Sequence, residues 1–501
     1  MSHHTISSVT AARLANEWPM WISGAPVKTG ATRNLVNPAD DAVFAKVAVG
    51  NAAQVDRAVA AARAAQPDWA AMNASQRAKI LWKLADLIEE NVEELAELES
   101  LSMGKPYGAA LHGEVPFFAE TFRYFAGWCT KISGTSAGLS FPVGDLHGIT
   151  LQEPVGVVGM ILPWNGPLVI AGWKLAPALA TGCTCVIKPA DTTPLSILRV
   201  AELAKQAGVP DGVINIVTGP GSVVGAAMAA HGGIDKLAFT GSTGVGRGLL
   251  HQSADSNLKK LTLELGGKSP VLVWPDANIK AAIDGAADAI FGNAGQVCVA
   301  GSRLYLHEDM RDELLPKLVE KANALKVGNP FADDTQMGPI ASRLHLETIQ
   351  SKVDAAIERG AKLLCGGAPI QGAGCYYPPT ILLLDDQSDP LVQDEVFGPV
   401  LVVSTFKTED EAVALANGTS FGLAASVWTR DINRAMRITR RLQCGIVWVN
   451  THNIPDLAMP IGGYGQSGWG RELGQMGLSE YLQSKSVMIQ ISEQDQIFEQ
   501  E

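Results

Sequence analysis

Along the first hundred residues apolar side chains recur every three or four positions, whereas later they gather in short unbroken runs. The first pattern is helical and the second is that of strands buried on both faces. Residues 52–70, AAQVDRAVAAARAAQPDWA, read as an alanine-rich helix. A longer helix is predicted over NASQRAKILWKLADLIEENVEELAELESLSMGK, with Ile80, Leu84, Leu87, Ile88, Val92, Leu95 and Leu98 on one face. Asn73 with Gln76 matches a capping pattern at its start, and Gly104 with Pro106 marks its end.

From about residue 154 runs rich in Val and Ile alternate with helical stretches: VGVVGMIL, GPLVIAGWKLAPALATG, TCVIKP, TPLSILRVAELAKQAG, INIVTG, SVVGAAMAAHG, DKLAFTG and STGVGRGLLHQSA. This alternation predicts a parallel, doubly wound sheet of the nucleotide-binding kind. A second α/β series runs over roughly 267–466, with SPVLVW, RLYLHE, VLVVSTF and GIVWVN as strands. Residues 133–153 alternate polar and apolar positions instead, which suits a hairpin leaving the domain toward a subunit partner.

Composition narrows the class. A chain of 501 residues, 47% apolar and with 51 glycines, holds two or three domains with many tight strand-to-helix turns. A net charge of −12 argues against nucleic acid as a partner. The seven cysteines lack any CxxC spacing, which fits reduced thiols in the cytoplasm and neither a disulfide framework nor a metal site. The start MSHHTISSVTAARLANEWP has no apolar signal core, and no run approaches a membrane span.

The glycines of FTGSTGVGRG follow a strand and open a helix, so that helix amides can face a phosphate, although the order is GxxGxG from Gly241. In VIKPADTTP, Asp191 stands where an acidic residue can accept hydrogen bonds from an adenosine ribose, and Lys188 closes the same strand. A surface ion pair accounts for these two equally well. Three further polar residues end or follow apolar strands: Asn165 in ILPWNGP, Glu264 in LTLELGGKSP and Glu395 in DEVFGPV. Strand ends of this kind line the ligand crevice of an open α/β sheet. Cys298, in FGNAGQVCVAGSR, has valines on both sides and no histidine within a helical turn before it.

Together PWN, KPAD, FTGSTGVG, LELGGKSP, FGNAGQVCVAGSR, EVFGPV and GGYGQSGWGRELG resemble the NAD(P)-dependent aldehyde dehydrogenase superfamily, in that family's order and over nearly the whole chain. The resemblance implies a non-acylating enzyme that oxidises an aldehyde to its acid. Cys298 would be the nucleophile, Glu264 the base that activates the hydrolytic water, and Asn165 an oxyanion donor beside the backbone N–H of Cys298. Trp164, Lys188, Asp191, Gly241 and Ser242 match cofactor contacts, and Glu395 and Phe397 match residues holding the nicotinamide ribose and ring. Lys174 and Glu472 match a pair relaying protons from the base; a plain buried ion pair is the alternative. The presence of Glu264 argues against a coenzyme A-acylating relative, since a thiol acceptor needs no hydrolytic base.

Two departures from the family pattern matter. Asp191 stands where NAD-preferring members usually have Glu. Its charge still opposes a 2′-phosphate, so NAD is the expected cofactor, with NADP a second candidate. In the substrate tunnel, Gly166, Pro455 and Ile461 occupy positions where aromatics are common, while Trp173 is retained. A wider apolar tunnel suits a bulky hydrophobic aldehyde, aromatic or terpenoid. Asp456 and Glu114 would instead favour an amino-aldehyde, and a broad aliphatic range is a further alternative. The implied architecture is a Rossmann-like parallel-sheet cofactor domain (1–132 and 154–266), an α/β catalytic domain (267–466) and a small β oligomerisation element (133–153 and 467–501) that builds a dimer or tetramer.

Overall fold

In a computed structural model the structure describes residues 4–139 and 146–491. An eight-stranded sheet and a seven-stranded sheet carry the two α/β series. In the first, the five strands Ile214–Ile216, Thr184–Lys188, Val157–Ile161, Lys236–Thr240 and Lys260–Glu264 lie side by side and parallel. The chain reverses its direction of winding between Val157–Ile161 and Lys236–Thr240. That is the topological switch point, where the carboxyl ends of strands leave a crevice. These strands are unbroken apolar runs because helices cover both faces, Ala52–Ala71 and Pro167–Thr181 among them.

The second sheet is parallel through Thr380–Leu383, Val400–Phe406, Arg303–His307, Pro270–Val273, Ala424–Trp428 and Ile446–Val449. Lys362–Cys365 adds an antiparallel edge. Only five residues separate the last parallel strand of the first sheet, ending at Glu264, from the first strand of the second at Pro270. The short linker LGGKS therefore joins the two sheets beside the crevice.

Leu146–Pro154 pairs with Ser136–Gly138 on one side and with Leu482–Gln490 on the other. These three strands thus form one antiparallel sheet; residues 140–145 of the expected hairpin and residues 492–501 lie outside the described residues. Gly468–Trp469, however, pairs with Lys260–Glu264 in the first sheet, so the segment 467–501 is divided between two sheets.

The long N-terminal helix predicted from residue 73 onward is two helices, Ala74–Glu90 and Val92–Met103. Asn91 breaks it at φ −113°, ψ 24°. Its side-chain amide donates to Leu87 O at 2.7 Å and its Oδ1 accepts from Arg199 at 2.9 Å. Asparagine competes with the helix for backbone partners, and the apolar period runs through the break unchanged. Gly104 ends the second helix at φ +86°, as the sequence implied.

Candidate active site

Cys298 reaches the crevice on a turn that few sequences adopt. Asn293 and Ala294 take left-handed φ values of 51° and 54°, followed by Gly295 at 70°. Side-chain-bearing residues pay for that conformation, and glycine is needed next because a Cβ on Gly295 would lie 2.0 Å from Gly398 O. Gln296, fully buried, locks the turn: its amide donates to Asn293 O at 3.1 Å and its Oε1 accepts from Ala341 N at 2.9 Å. Behind the cysteine, buried His452 donates from Nε2 to Val299 O at 2.8 Å, with Nδ1 3.0 Å from Ser426 Oγ. Burial pushes the His452 imidazole down to about 4, so the ring stays neutral.

The side chain of Cys298 is partly exposed, and the backbone N–H groups of Cys298 and Val299 face its sulfur. Burial of its surroundings, then the charges of Glu264 and Glu395, push the thiol up to about 12. Two carboxylates therefore flank the thiol. Glu264 ends its strand buried, with Oε1 lacking a hydrogen-bond partner. Desolvation, then repulsion from Glu472, hold its carboxyl well above the usual range. Glu395 accepts from Gly267 N at 3.0 Å, and desolvation raises its carboxyl too. The approach is possible only over glycines. A Cβ on Gly266 would sit 2.4 Å from Glu395 Oε2, and one on Gly267 would sit 2.5 Å from Cys298 O.

Asn165, in the loop after Val157–Ile161, donates from Nδ2 to Gln296 O at 2.9 Å, two residues before the thiol. That bond uses one of the amide's two hydrogens and leaves the other to donate. Lys174, on the following helix Pro167–Thr181, forms a buried hydrogen-bonded ion pair with Glu472 of the C-terminal segment, whose Oε2 is without a hydrogen-bond partner. Both readings left open by the sequence, ion pair and relay, are compatible with that contact.

The dinucleotide positions gather around the switch point. Trp164 meets Phe397 edge to face at 5.3 Å between centroids. Phe397 holds a left-handed φ of 60°, and His345 donates to its carbonyl at 2.7 Å. Gly241 N donates to Glu264 O at 3.0 Å, and Ser242 caps the helix Thr243–Ala254. Lys188 is buried at its strand end, donating to Pro189 O at 2.8 Å and to Asp191 at 2.9 Å. Asp191 has a second cationic neighbour: Arg33 lies 2.7 Å from its other oxygen. Arg33, His345 and His452 escaped sequence reasoning, because each belongs to a segment with no periodic or motif signal and arrives by folding; Gln296 lies inside the Cys298 motif, but its partner Ala341 is brought to it only by folding.

These residues suit a dinucleotide: free helix-start amides, a buried lysine and an aromatic pair at the switch point, beside a thiol held between carboxylates. Fold and site define a nicotinamide-linked oxidoreductase. The chain belongs to the aldehyde dehydrogenase family, whose model matches residues 26–487. It is 45% identical over 470 residues to the putative aldehyde dehydrogenase DhaS of Bacillus subtilis, covering 93% of this chain and 94% of that one. It is 41% identical to the cytosolic 10-formyltetrahydrofolate dehydrogenase of Xenopus tropicalis, but spans only 52% of that protein's length. The solved NAD+ complex of aldehyde dehydrogenase from Bacillus cereus superposes with a TM-score of 0.96 at 43% identity, covering 98% of this chain and all of that one. The protein is an NAD-dependent aldehyde dehydrogenase. Among the described residues no helix is long and apolar enough to cross a membrane.

Proposed function

We propose that the chain oxidises a bulky hydrophobic aldehyde, aromatic or terpenoid, to its carboxylic acid, with Cys298 as nucleophile and Glu264 as the hydrolytic base. The observation that carries the chemistry is the thiol close to the buried Glu264 and the half-buried Glu395, with Asn165 fixed beside the same turn. NAD, held by the residues matched to cofactor contacts, would supply the hydride acceptor and a positive ring charge. Cys298 Sγ, once deprotonated, adds to the aldehyde carbon. The oxygen of the resulting thiohemiacetal takes hydrogen bonds from the free Nδ2 hydrogen of Asn165 and the backbone N–H of Cys298, each worth about 3 kcal/mol in the transition state. After oxidation a thioester remains on Cys298. Glu264 removes a proton from the water that attacks it, and the acid leaves.

Bulk tolerance is supported at Gly166, where an added Cβ would meet only Ile170 and Val169, at 3.6 and 3.9 Å. Trp173 stays partly buried on the adjoining helix, Pro455 is half-buried, and Ile461 is buried in the same apolar cluster as Trp173. An amino-aldehyde is disfavoured. Glu114 is paired with the buried Lys105, and exposed Asp456 accepts from Ala458 N at 2.8 Å in its own turn. The three-part division stated above belongs to the same reading, with Leu482–Gln490 and Leu146–Pro154 as the oligomerisation sheet.

Formation of reduced nicotinamide across aldehydes from acetaldehyde to phenylacetaldehyde and geranial tests this. The expected result is higher kcat/KM for the bulky members, with formation of reduced nicotinamide abolished in Cys298→Ala. A preference for acetaldehyde overturns the substrate reading; activity in Cys298→Ala overturns the mechanism.

A further inference from the structure

Glu264 is enclosed, and each turnover leaves a proton on it that must reach solvent. Among the described residues, the buried polar atoms without a hydrogen-bond partner include Glu264 Oε1, Glu472 Oε2 and Lys236 Nζ. Orphans of this kind take water as their partner. Glu264 and Lys236 lie at opposite ends of neighbouring parallel strands, since Thr240 pairs with Glu264 and Lys236 with Lys260. That separation is about 13 Å at the rise of a strand. The segment leading to Glu472 runs from one end toward the other: Gly468 pairs with Glu264, Trp469 with Leu263, and a Cβ on Gly470 would meet Thr262 at 2.6 Å and Glu480 Oε1 at 3.5 Å.

Beyond Lys236 the surface is close. Its Nζ is 3.6 Å from Glu480 Oε2, and Glu480 in turn is 2.9 Å from Lys260 Nζ. Side-chain exposure rises from 0% at Lys236 through 19% at Glu480 to 52% at Lys260. Resting on the assignment of Glu264 as base, we propose that Lys236 and Glu480 carry its proton from the buried Glu472–Lys174 pair to solvent at Lys260. The proton passes from Glu264 to Glu472, from there to the neutral amine of Lys236, and from its ammonium to Glu480 and bulk water; no electron moves. The groups facing Lys236 are Lys260 from the adjoining strand, Lys174 from the helix Pro167–Thr181, the thiol of Cys183, Glu472, and Glu480 with the Tyr481 ring 5.3 Å from Nζ. Desolvation brings the Lys236 amine down to about 8, a range in which it both takes and gives a proton near neutral pH.

Glu480→Gln and Lys236→Arg test the route, since neither replacement transfers a proton at neutral pH. The burst of reduced nicotinamide, which precedes hydrolysis, should keep its amplitude in both. Decay of the Cys298 thioester, followed by acid quench, should slow about tenfold or more, with an enlarged solvent isotope effect and an altered pH profile. Glu480→Asp should restore the decay rate. Unchanged decay and isotope effect in folded Glu480→Gln overturn the route, as does equal slowing in Glu480→Asp and Glu480→Gln. Should Lys236→Arg fail to fold, the two Glu480 variants decide. Failure of the parent protein to form a thioester on Cys298 in an acid-quenched single turnover would instead overturn the assignment of the chemistry itself.

Discussion

Asp191 is the residue on which cofactor choice was expected to turn, and its carboxylate is hemmed in by Lys188 on one oxygen and Arg33 on the other. Two cations at that point weaken the repulsion a 2′-phosphate would meet. Arg33 is 45% exposed, so its share is modest, up to about 1 kcal/mol. Removing it by Arg33→Ala should raise KM for NADP about two- to fivefold and leave KM for NAD within error, as read by steady-state kinetics. Equal changes for both cofactors would show that Arg33 only supports the local fold. The sequence makes Asp191 visible through its strand-end position, but Arg33 belongs to the strand Thr32–Val36 of a separate small sheet. No spacing rule connects them; tertiary packing does.

At the scale of elements, the legible parts were those in which local pattern and burial agree. Unbroken apolar runs such as Val157–Ile161 and Thr184–Lys188 became central parallel strands. The break at Asn91 was hidden because its cause is a side-chain hydrogen bond that leaves the apolar period intact. The turn before Cys298 was hidden for another reason: its left-handed residues include an alanine, which carries no such signal. His452 supports that turn from behind and yields a stability prediction. Its folded value is about 4 and its ordinary value 6.5, so the unfolded chain binds the proton first as pH falls. This contribution is fully present above pH 6.5 and is lost progressively toward 4. Denaturation at pH 7 and pH 5 should show a loss larger by about 2 kcal/mol in the parent than in His452→Gln. Equal losses would mean that the ring is protonated in the folded state.

For the whole molecule, the open question is how the third sheet is covered. Leu482–Gln490 is an edge strand, with Met488 71% and Ile491 67% exposed at its end. Edges of this kind pair with another chain or are protected from doing so. With that sheet as the contact between subunits, Met488→Glu should shift sedimentation toward a smaller species, while the apolar replacement Met488→Leu should not. Identical sedimentation of Met488→Glu and the parent would remove the sheet from the interface. The pairing of residues 146–154 with 482–490 joins segments separated by most of the chain's length into one sheet.

The paired glycines at 266 and 267 act as a gauge block of minimal thickness. They bring the carbonyl of Cys298 and the carboxylate of Glu395 against the same stretch of backbone that carries Glu264 and links the two large sheets. Cys298, Glu264 and Glu395 thus share one mechanical reference point. A shear between the sheets displaces all three together, before any helix or strand is lost. Heat inactivation should accordingly run ahead of the loss of secondary structure, making catalytic output a finer report on the seam than any spectroscopic measure of folded content.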